Sequence, residues 1–402
     1  MSMSKNYFVT FGCWNNGGCE KDTDLSKVMT KLKSLNPPPE KIFVAGDNYY
    51  PEKEKTKSKN NALEKKKIFN LETLVSGFKC LPKNVPIYIN YGNHDYENGL
   101  TIRTEDGEQV DKSCILTKTE KKLVEKISLE GHRINLKMFQ SIHFGGSTLV
   151  IMIDTTMYDN EDNTEYKDCY KDALIDTVDT TYAFEEAKTA QKTFMSSVVT
   201  DIINTPSISN IVIIGHHPII NYKIKKGSVI TLSLDELATF LYESLFKNLK
   251  ELQRKFSYYY LCADLHQYQS GTITIGEGDQ VMNIRQYIAG TGGASKDTYD
   301  GELIPRERYV KKVELNGINY TYQMSSDDIT NSRSENGFLR CEENADETLH
   351  FQFYTVNNEV IECNPSLTGG YKKHKHTKRS KKKTHKKTYR KKISKSSRKL
   401  YR

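Results

Sequence analysis

The chain has 402 residues, 37% of them hydrophobic and 27% charged, enough apolar side chain for one large core or two modest ones. Its formal net charge of +8 misleads: residues 371–402 carry 17 Lys or Arg and no acid, which leaves 42 basic against 51 acidic residues, a charge of −9, on the rest. The eight cysteines are scattered without C-x-x-C spacing, which suggests neither a zinc ribbon nor a disulfide scaffold, and no apolar run approaches the roughly 18 residues that span a membrane.

Tyr7 to Phe11 reads as a buried strand. Leu25, Val28, Met29, Leu32 and Leu35 then recur at helical spacing until Asn36-Pro37-Pro38 stops the helix, and Ile42 to Ala45 is the next strand, so the opening is a βαβ unit with parallel strands. A second helical pattern over about 62 to 79 precedes the strand Pro86 to Asn90. Residues 97 to 135 are polar, lack sustained periodicity and read as an insertion, followed by the buried strand Thr148 to Ile153. Phe194 to Ile202 places a helix before the strand Ile211 to Ile214. Ser233-Leu234-Asp235-Glu236 reads as a capping box that opens a long helix through Leu237, Leu241, Leu245 and Leu249. Tyr258 to Ala263 and the stretches near 272 to 275 and 284 to 289 supply further strands, which places Tyr258-Tyr259-Tyr260 in the core rather than on a base-stacking surface. The stretch 297 to 335 is again polar and irregular, and Leu349 to Tyr354 with Glu359 to Cys363 reads as a closing hairpin turned at Asn357-Asn358.

Five short polar clusters each follow an apolar run: Gly12-Cys13-Trp14, Gly46-Asp47-Asn48-Tyr49-Tyr50, Gly92-Asn93-His94-Asp95, Gly215-His216-His217-Pro218 and Asp264-Leu265-His266. Open α/β sheets put chemistry beyond the carboxyl ends of their strands, so five such clusters can converge on one crevice. Alone, Asp47 is an ordinary turn aspartate and His94 or His216 an ordinary polar residue. Together, Asp, Tyr, Asn and three His in order at strand ends are the donors that a two-metal phosphoester hydrolase needs: a bridging carboxylate, oxygen and imidazole ligands, and a group for the departing oxygen.

Gly46-Asp47-Asn48-Tyr49-Tyr50, Gly92-Asn93-His94-Asp95, Gly215-His216 and His266 resemble the calcineurin-like metallophosphoesterases, and within them the small, tartrate-resistant type of purple acid phosphatase. Met152-Ile153-Asp154-Thr155, Ile288-Ala289-Gly290-Thr291-Gly292 and Asn336-Gly337-Phe338 extend the likeness to roughly residues 5 to 363, outside the two polar insertions. The resemblance implies an α/β fold, an αββα sandwich of two mixed sheets flanked by helices, with a metal pair at the carboxyl strand edge. It makes Asp47 the bridging ligand, assigns Tyr50 and His266 to the first metal and Asn93 and His216 to the second, and has His94 contact the phosphate and assist the leaving group. The expected activity is hydrolysis of phosphate mono- or diesters by a hydroxide held between two metal ions, Fe, Zn or Mn.

Two positions depart from that family. Cys13 stands where the family's first cluster has an aspartate ligand, and Asp264 stands where its last cluster, G-H-D-H, has a histidine. Asp47, Asp264 and Tyr50 still sum to three negative charges if Cys13 stays a neutral thiol, moved toward the second metal. This predicts a second position suited to hard cations such as Mn²⁺ and a first one weakened or shifted toward thiolate-tolerant Zn²⁺ or Fe. The alternative is a catalytically degenerate binding module that recruits nucleic acid or a partner.

Residues 371–402, Lys, Arg, His, Ser and Thr almost throughout, read as a disordered tail behind a linker at 364–370. A charge of +17 binds polyanions, whether nucleic acid, an anionic membrane or an acidic protein surface. Such tails resemble those of proteins from large DNA viruses, a likeness of composition alone. Met1 to Asn6 contain no apolar h-region, so the expectation is an intracellular protein of cytoplasm or nucleus with free thiols. His217 is read as a polar group at the pocket rim, and Gly290-Thr291-Gly292-Gly293 as a tight turn rather than a dinucleotide loop.

Overall fold

A computed structural model of the chain describes residues 6–57, 63–104, 106–159, 166–173, 183–225, 228–252, 254–275, 282–296, 309–315, 318–324 and 335–363. The expected linker and basic tail lie outside the described residues. Met1–Pro365 form one compact unit.

Two mixed sheets make up the centre of this unit. The first runs Val360–Glu362, Leu349–Thr355, Gly337–Glu343, Tyr7–Phe11, Lys41–Val44, Ile87–Ile89 and Ile134–Leu136, the last four strands parallel to one another. The second runs Tyr309–Leu315, Ile318–Met324, Tyr268–Ile275, Met282–Ala289, Ser257–Cys262, Asn210–Ile214, Thr148–Met152 and Gln140–Phe144, with four parallel strands from Met282–Ala289 to Thr148–Met152.

Side-chain alternation along each strand explains the layering. In Tyr7–Phe11, Tyr7, Val9 and Phe11 face a core shared with the helices Asp24–Lys33, Leu71–Cys80 and Ile115–Leu129. Phe8 faces the other way, into a core between the sheets with Phe43, Phe144, Val150, Val212 and Phe351. In the second sheet Leu149 and Ile151 alternate with Val150 and Met152, and the outward pair packs in the core of the helix Ala183–Asn204. Both faces of the central strands are therefore buried, which is why they read as continuous apolar runs. The αββα sandwich is the observed fold.

Register sets up the site. Phe11 pairs with Val44 and Val44 with Ile89, so three parallel strands of the first sheet end level. In the second, Met152 pairs with Ile214 and Ile214 with Leu261. Loops leaving both rows meet at one edge, where Gly12 N donates to Ala289 O at 3.1 Å and Asn90 Nδ2 to Ile153 O at 3.0 Å.

Several expectations are corrected here. The first part of 62 to 79 is not helical: Leu63–Ile68 is a strand paired with Glu52–Lys57, and the helix begins at Leu71, where Asn70 Oδ1 accepts from Thr73 N at 3.1 Å. Residues 97 to 135 are not irregular, since they hold the hairpin Leu100–Arg103/Gln109–Lys112 and the helix Ile115–Leu129. The described part of 297 to 335 is likewise a hairpin, Tyr309–Leu315 with Ile318–Met324. Ser233 closes a strand, and the helix starts at Asp235 with Leu234 as its cap residue.

The cysteines are not all free. Cys19 pairs with Cys80 and Cys114 with Cys169, while Cys13, Cys262, Cys341 and Cys363 are buried thiols. Scattered spacing concealed these bridges because each closes a long loop, 61 and 55 residues. The expectation of free thiols is therefore corrected for these four cysteines. Among the described residues no helix is long and apolar enough to cross a membrane.

Candidate metal centre

Each functional side chain sits on the first residues after a strand. Gly46 and Asp47 both have left-handed backbones, φ +73° and +53°, which swing the Asp47 carboxylate back over the sheet edge. Gly92 passes so close beneath that a Cβ there would lie 2.4 Å from Asp47 Oδ1 and 2.8 Å from His216 Nδ1. Cys13 and Asp264 are also left-handed, φ +52° and +58°. Strained residues of this kind cluster at working sites.

Asp47 is the hub. Its Oδ2 accepts from Tyr50 Oη at 2.6 Å and lies 3.8 Å from Cys13 Sγ; its Oδ1 accepts from His94 N at 3.1 Å and lies 3.2 Å from His216 Nε2. Burial would raise this carboxyl, but the charges of His216 and His94 outweigh burial and hold it well below the usual carboxylate range. Burial would likewise lower His216, yet Asp47 lifts it to about 9. A positive charge therefore belongs opposite Asp47.

His216 and His266, both from the second sheet, are aimed by carbonyls. His216 Nδ1 meets Ala45 O at 2.7 Å, and a carbonyl only accepts, so Nε2 is the atom that faces Asp47 and Asn93 Oδ1, the latter at 3.0 Å. His266 Nδ1 meets Ser295 O in the same way, turning Nε2 to Tyr50 Oη at 3.0 Å. Metal-binding histidines are oriented like this, with the far nitrogen fixed by an acceptor. Cys13, Asp47 and His266 have donor atoms within 4.8 Å of one another, as do His216, His217 and Asp264. The donor set fits cations, and the structure brings together every residue the sequence singled out: Cys13, Asp47, Tyr50, Asn93, His94, His216, Asp264 and His266.

Other residues at the site had no role assigned from the sequence. Asp95 accepts from Asn48 N at 2.8 Å, Asn48 Nδ2 at 3.0 Å and Gly92 N at 2.7 Å, tying the second cluster to the third; burial raises its carboxyl to about 7. Glu97 contacts His94 Nδ1 and pairs with Lys67 Nζ at 3.0 Å. The spacing of His94 and Glu97, three residues apart, was its one available signal. Thr155 Oγ1 accepts from His216 N at 3.1 Å and His217 N at 2.8 Å and lies 3.0 Å from His217 Nδ1. His217 is buried rather than at the rim, and burial pushes its imidazole well below the ordinary histidine value. It lies on the wall of a cleft of about 400 Å³ that Asn93 and Asp264 also line, faced by the hairpin Ile220–Lys225/Ser228–Ser233. The turn at Gly290 to Gly293 packs against the first cluster, with Gly292 N donating to Gly12 O at 3.0 Å.

No family model matches the chain, and no curated protein matches it in sequence. Among solved structures it is similar to the purple acid phosphatase PPD1 from yellow lupin (Lupinus luteus) seeds, at 12% identity and a TM-score of 0.45, covering 89% of this chain and 53% of that one. The chain thus spans about half the length of the lupin enzyme. It is also similar to GAP50, the anchor in the inner membrane complex of Plasmodium, at 13% identity and a TM-score of 0.41, covering 89% of this chain and 88% of that one. The sandwich fold itself rests on the sheet order and layering given above.

Proposed function

We propose that the protein is a metal-dependent phosphoesterase acting on phosphate mono- or diesters. The observation that carries this reading is the position of Asp47, whose two oxygens separately contact the Cys13/Tyr50 side and the His216 side of one pocket. On this reading Asp47 would serve both cations, Tyr50 and His266 would hold the first, and Asn93, His216 and Asp264 would hold the second. The second set, rich in oxygen donors, suits Mn²⁺; the first, with Cys13 beside it, suits Zn²⁺ or Fe. When bound, the cations supply the positive charge that offsets repulsion between phosphate oxygens and water.

The chain's own residues do the rest. His94 is fixed twice, by its backbone N–H on Asp47 and by Nδ1 on Glu97, which leaves Nε2 for an oxygen of the phosphate ester. Its ring lies 4.7 Å from that of Tyr50, so the two form one wall of the pocket. The test is hydrolysis of an aryl phosphate or phosphodiester with added Mn²⁺, Zn²⁺ or Fe, alongside elemental analysis. Turnover that Asp47→Ala abolishes is expected. No rate above background in any metal, with Asp47→Ala equal to the parent protein, would overturn the proposal.

One observation favours the rival reading of a degenerate, ligand-binding module. Cys13 is fully buried and its thiol is pushed up by burial and by Asp47, so it contributes no charge where the family has a carboxylate. Deleting Tyr371 to Arg402 separates the two: a hydrolase keeps small-substrate turnover, whereas a tail-driven polyanion binder loses its function.

A further inference from the structure

We propose that the cleft beside the candidate metal centre holds the leaving group of the substrate, and that His217 provides the hydrogen-bond donor inside it through Nε2–H. This rests on the phosphoesterase reading. The first step is the bookkeeping of one hydroxyl, which has a single hydrogen and two lone pairs. Thr155 Oγ1 receives the backbone N–H groups of His216 and His217, at 3.1 and 2.8 Å, and these occupy both lone pairs. Its hydrogen therefore goes to the remaining neighbour, His217 Nδ1, at 3.0 Å.

Nδ1 is thus an acceptor, and the ring proton sits on Nε2. His216 is arranged differently, with its Nδ1 donating to Ala45 O. Two adjacent histidines are built for different tasks: His216 aims Nε2 at the position a cation would take beside Asp47, and His217 turns an N–H to the cleft. His217 Nε2 lies 3.7 Å from Asp159 Oδ2, and both residues line the cleft. The ring stands edge-on to His216, 4.8 Å between centroids at 85°, which fixes its aim.

The lining also narrows the substrate class. Among the described lining residues, apart from the metal-facing ones, Asp159 and Asp235 outnumber Lys223, which disfavours a second phosphate or a polynucleotide backbone there. Pro218 and Leu234 add apolar surface, and about 400 Å³ admits a group the size of a sugar or nucleoside. The ligand that fits is a phosphomonoester of a bulky alcohol that is uncharged or carries an amine. His217 bonds to the ester oxygen and gives up no proton.

The experiment compares p-nitrophenyl phosphate, a nucleoside monophosphate and the matching diphosphate in the metal-loaded, full-length protein, His217→Phe and His217→Gln. A poor alkoxide leaving group needs the donor most, so His217→Phe lowers the ratio of nucleoside to aryl ester turnover about tenfold, and His217→Gln, which keeps an N–H, restores most of it. Histidine ¹⁵N NMR of the full-length protein supplies a readout independent of turnover: His217 resonates as the Nε2–H tautomer. Equal losses on both esters, an Nδ1–H tautomer, or a preference for the diphosphate overturns the inference. Absence of p-nitrophenyl phosphate turnover in the parent protein instead sinks the phosphoesterase reading, while the NMR result still decides the tautomer.

Discussion

Replacing Gly92 by Ala adds one methyl group beneath the pocket and tests whether Asp47 and His216 form a single unit. The new Cβ would lie 2.4 Å from Asp47 Oδ1, 2.5 Å from Asp47 N and 2.8 Å from His216 Nδ1. Ordinary contacts begin near 3.4 Å, so the carboxylate must retreat by about 1 Å, and so must a backbone nitrogen that cannot rotate away. Overpacking of this kind costs about 1–3 kcal/mol, a few degrees of Tm in a chain of this size. The site suffers more, because a constellation of this type tolerates about 0.5 Å of displacement, and 1 Å lowers turnover about 100-fold. The assay is metal content, aryl phosphate turnover and Tm of Gly92→Ala beside Gly146→Ala, where an added Cβ meets nothing within 4 Å. Parental metal content and turnover in Gly92→Ala would refute the reasoning.

Cys13→Asp introduces a carboxylate at a backbone conformation that Asp tolerates, φ +52°. Beside Asp47 the new charge lowers Tm in the metal-free protein and enlarges the Tm gain on adding Mn²⁺ or Zn²⁺; an unchanged metal response argues that Cys13 is remote from any cation. Thiol titration of protein denatured without reductant gives four reactive groups, Cys13, Cys262, Cys341 and Cys363, and eight after reduction. Eight before reduction would remove both bridges, each worth about 4 kcal/mol on chain entropy for loops of this length. Phe8→Ala empties the space between Phe43 and Phe144, whose ring centroids lie 5.1 and 5.0 Å away, and costs about 3–5 kcal/mol by denaturant titration. A loss under about 1 kcal/mol would mean that the sheets do not pack through this side chain.

The central strands were legible because burial on both faces leaves an uninterrupted apolar run, as in Asn210–Ile214. The hairpin Glu52–Lys57/Leu63–Ile68 was not, since charged residues such as Glu54 and Lys66 face each other across it and leave no alternation to read. The helix Ile115–Leu129 was missed for a related reason. Its buried face includes Thr117 and Glu120 between Leu116 and Leu123, so the apolar period is broken by polar residues that are nonetheless inside. At the site, Asp47, Asn93 and His216 stood out because their types and order carry the chemistry themselves. Asp95 and Thr155 sit inside Gly92-Asn93-His94-Asp95 and Met152-Ile153-Asp154-Thr155, yet neither they nor Glu97 had a readable role, since a threonine or carboxylate that positions a neighbour acts only through it.

The pocket is assembled from two layers that share no strand. Cys13, Asp47, Tyr50 and Asn93 leave the first sheet; His216, Asp264 and His266 leave the second. Apolar packing, the His216–Asp47 pair and hydrogen bonds such as Ser147 N to Glu343 Oε1 set their spacing, so a slide of one layer along the other would open the donor set. Cations seated there would rivet the layers together, adding about 2.7 kcal/mol at a hundredfold excess over Kd. Affinity for metal then becomes a gauge of how well the halves are seated, and distant core substitutions such as Phe8→Ala would register at the rivet before the molecule comes apart.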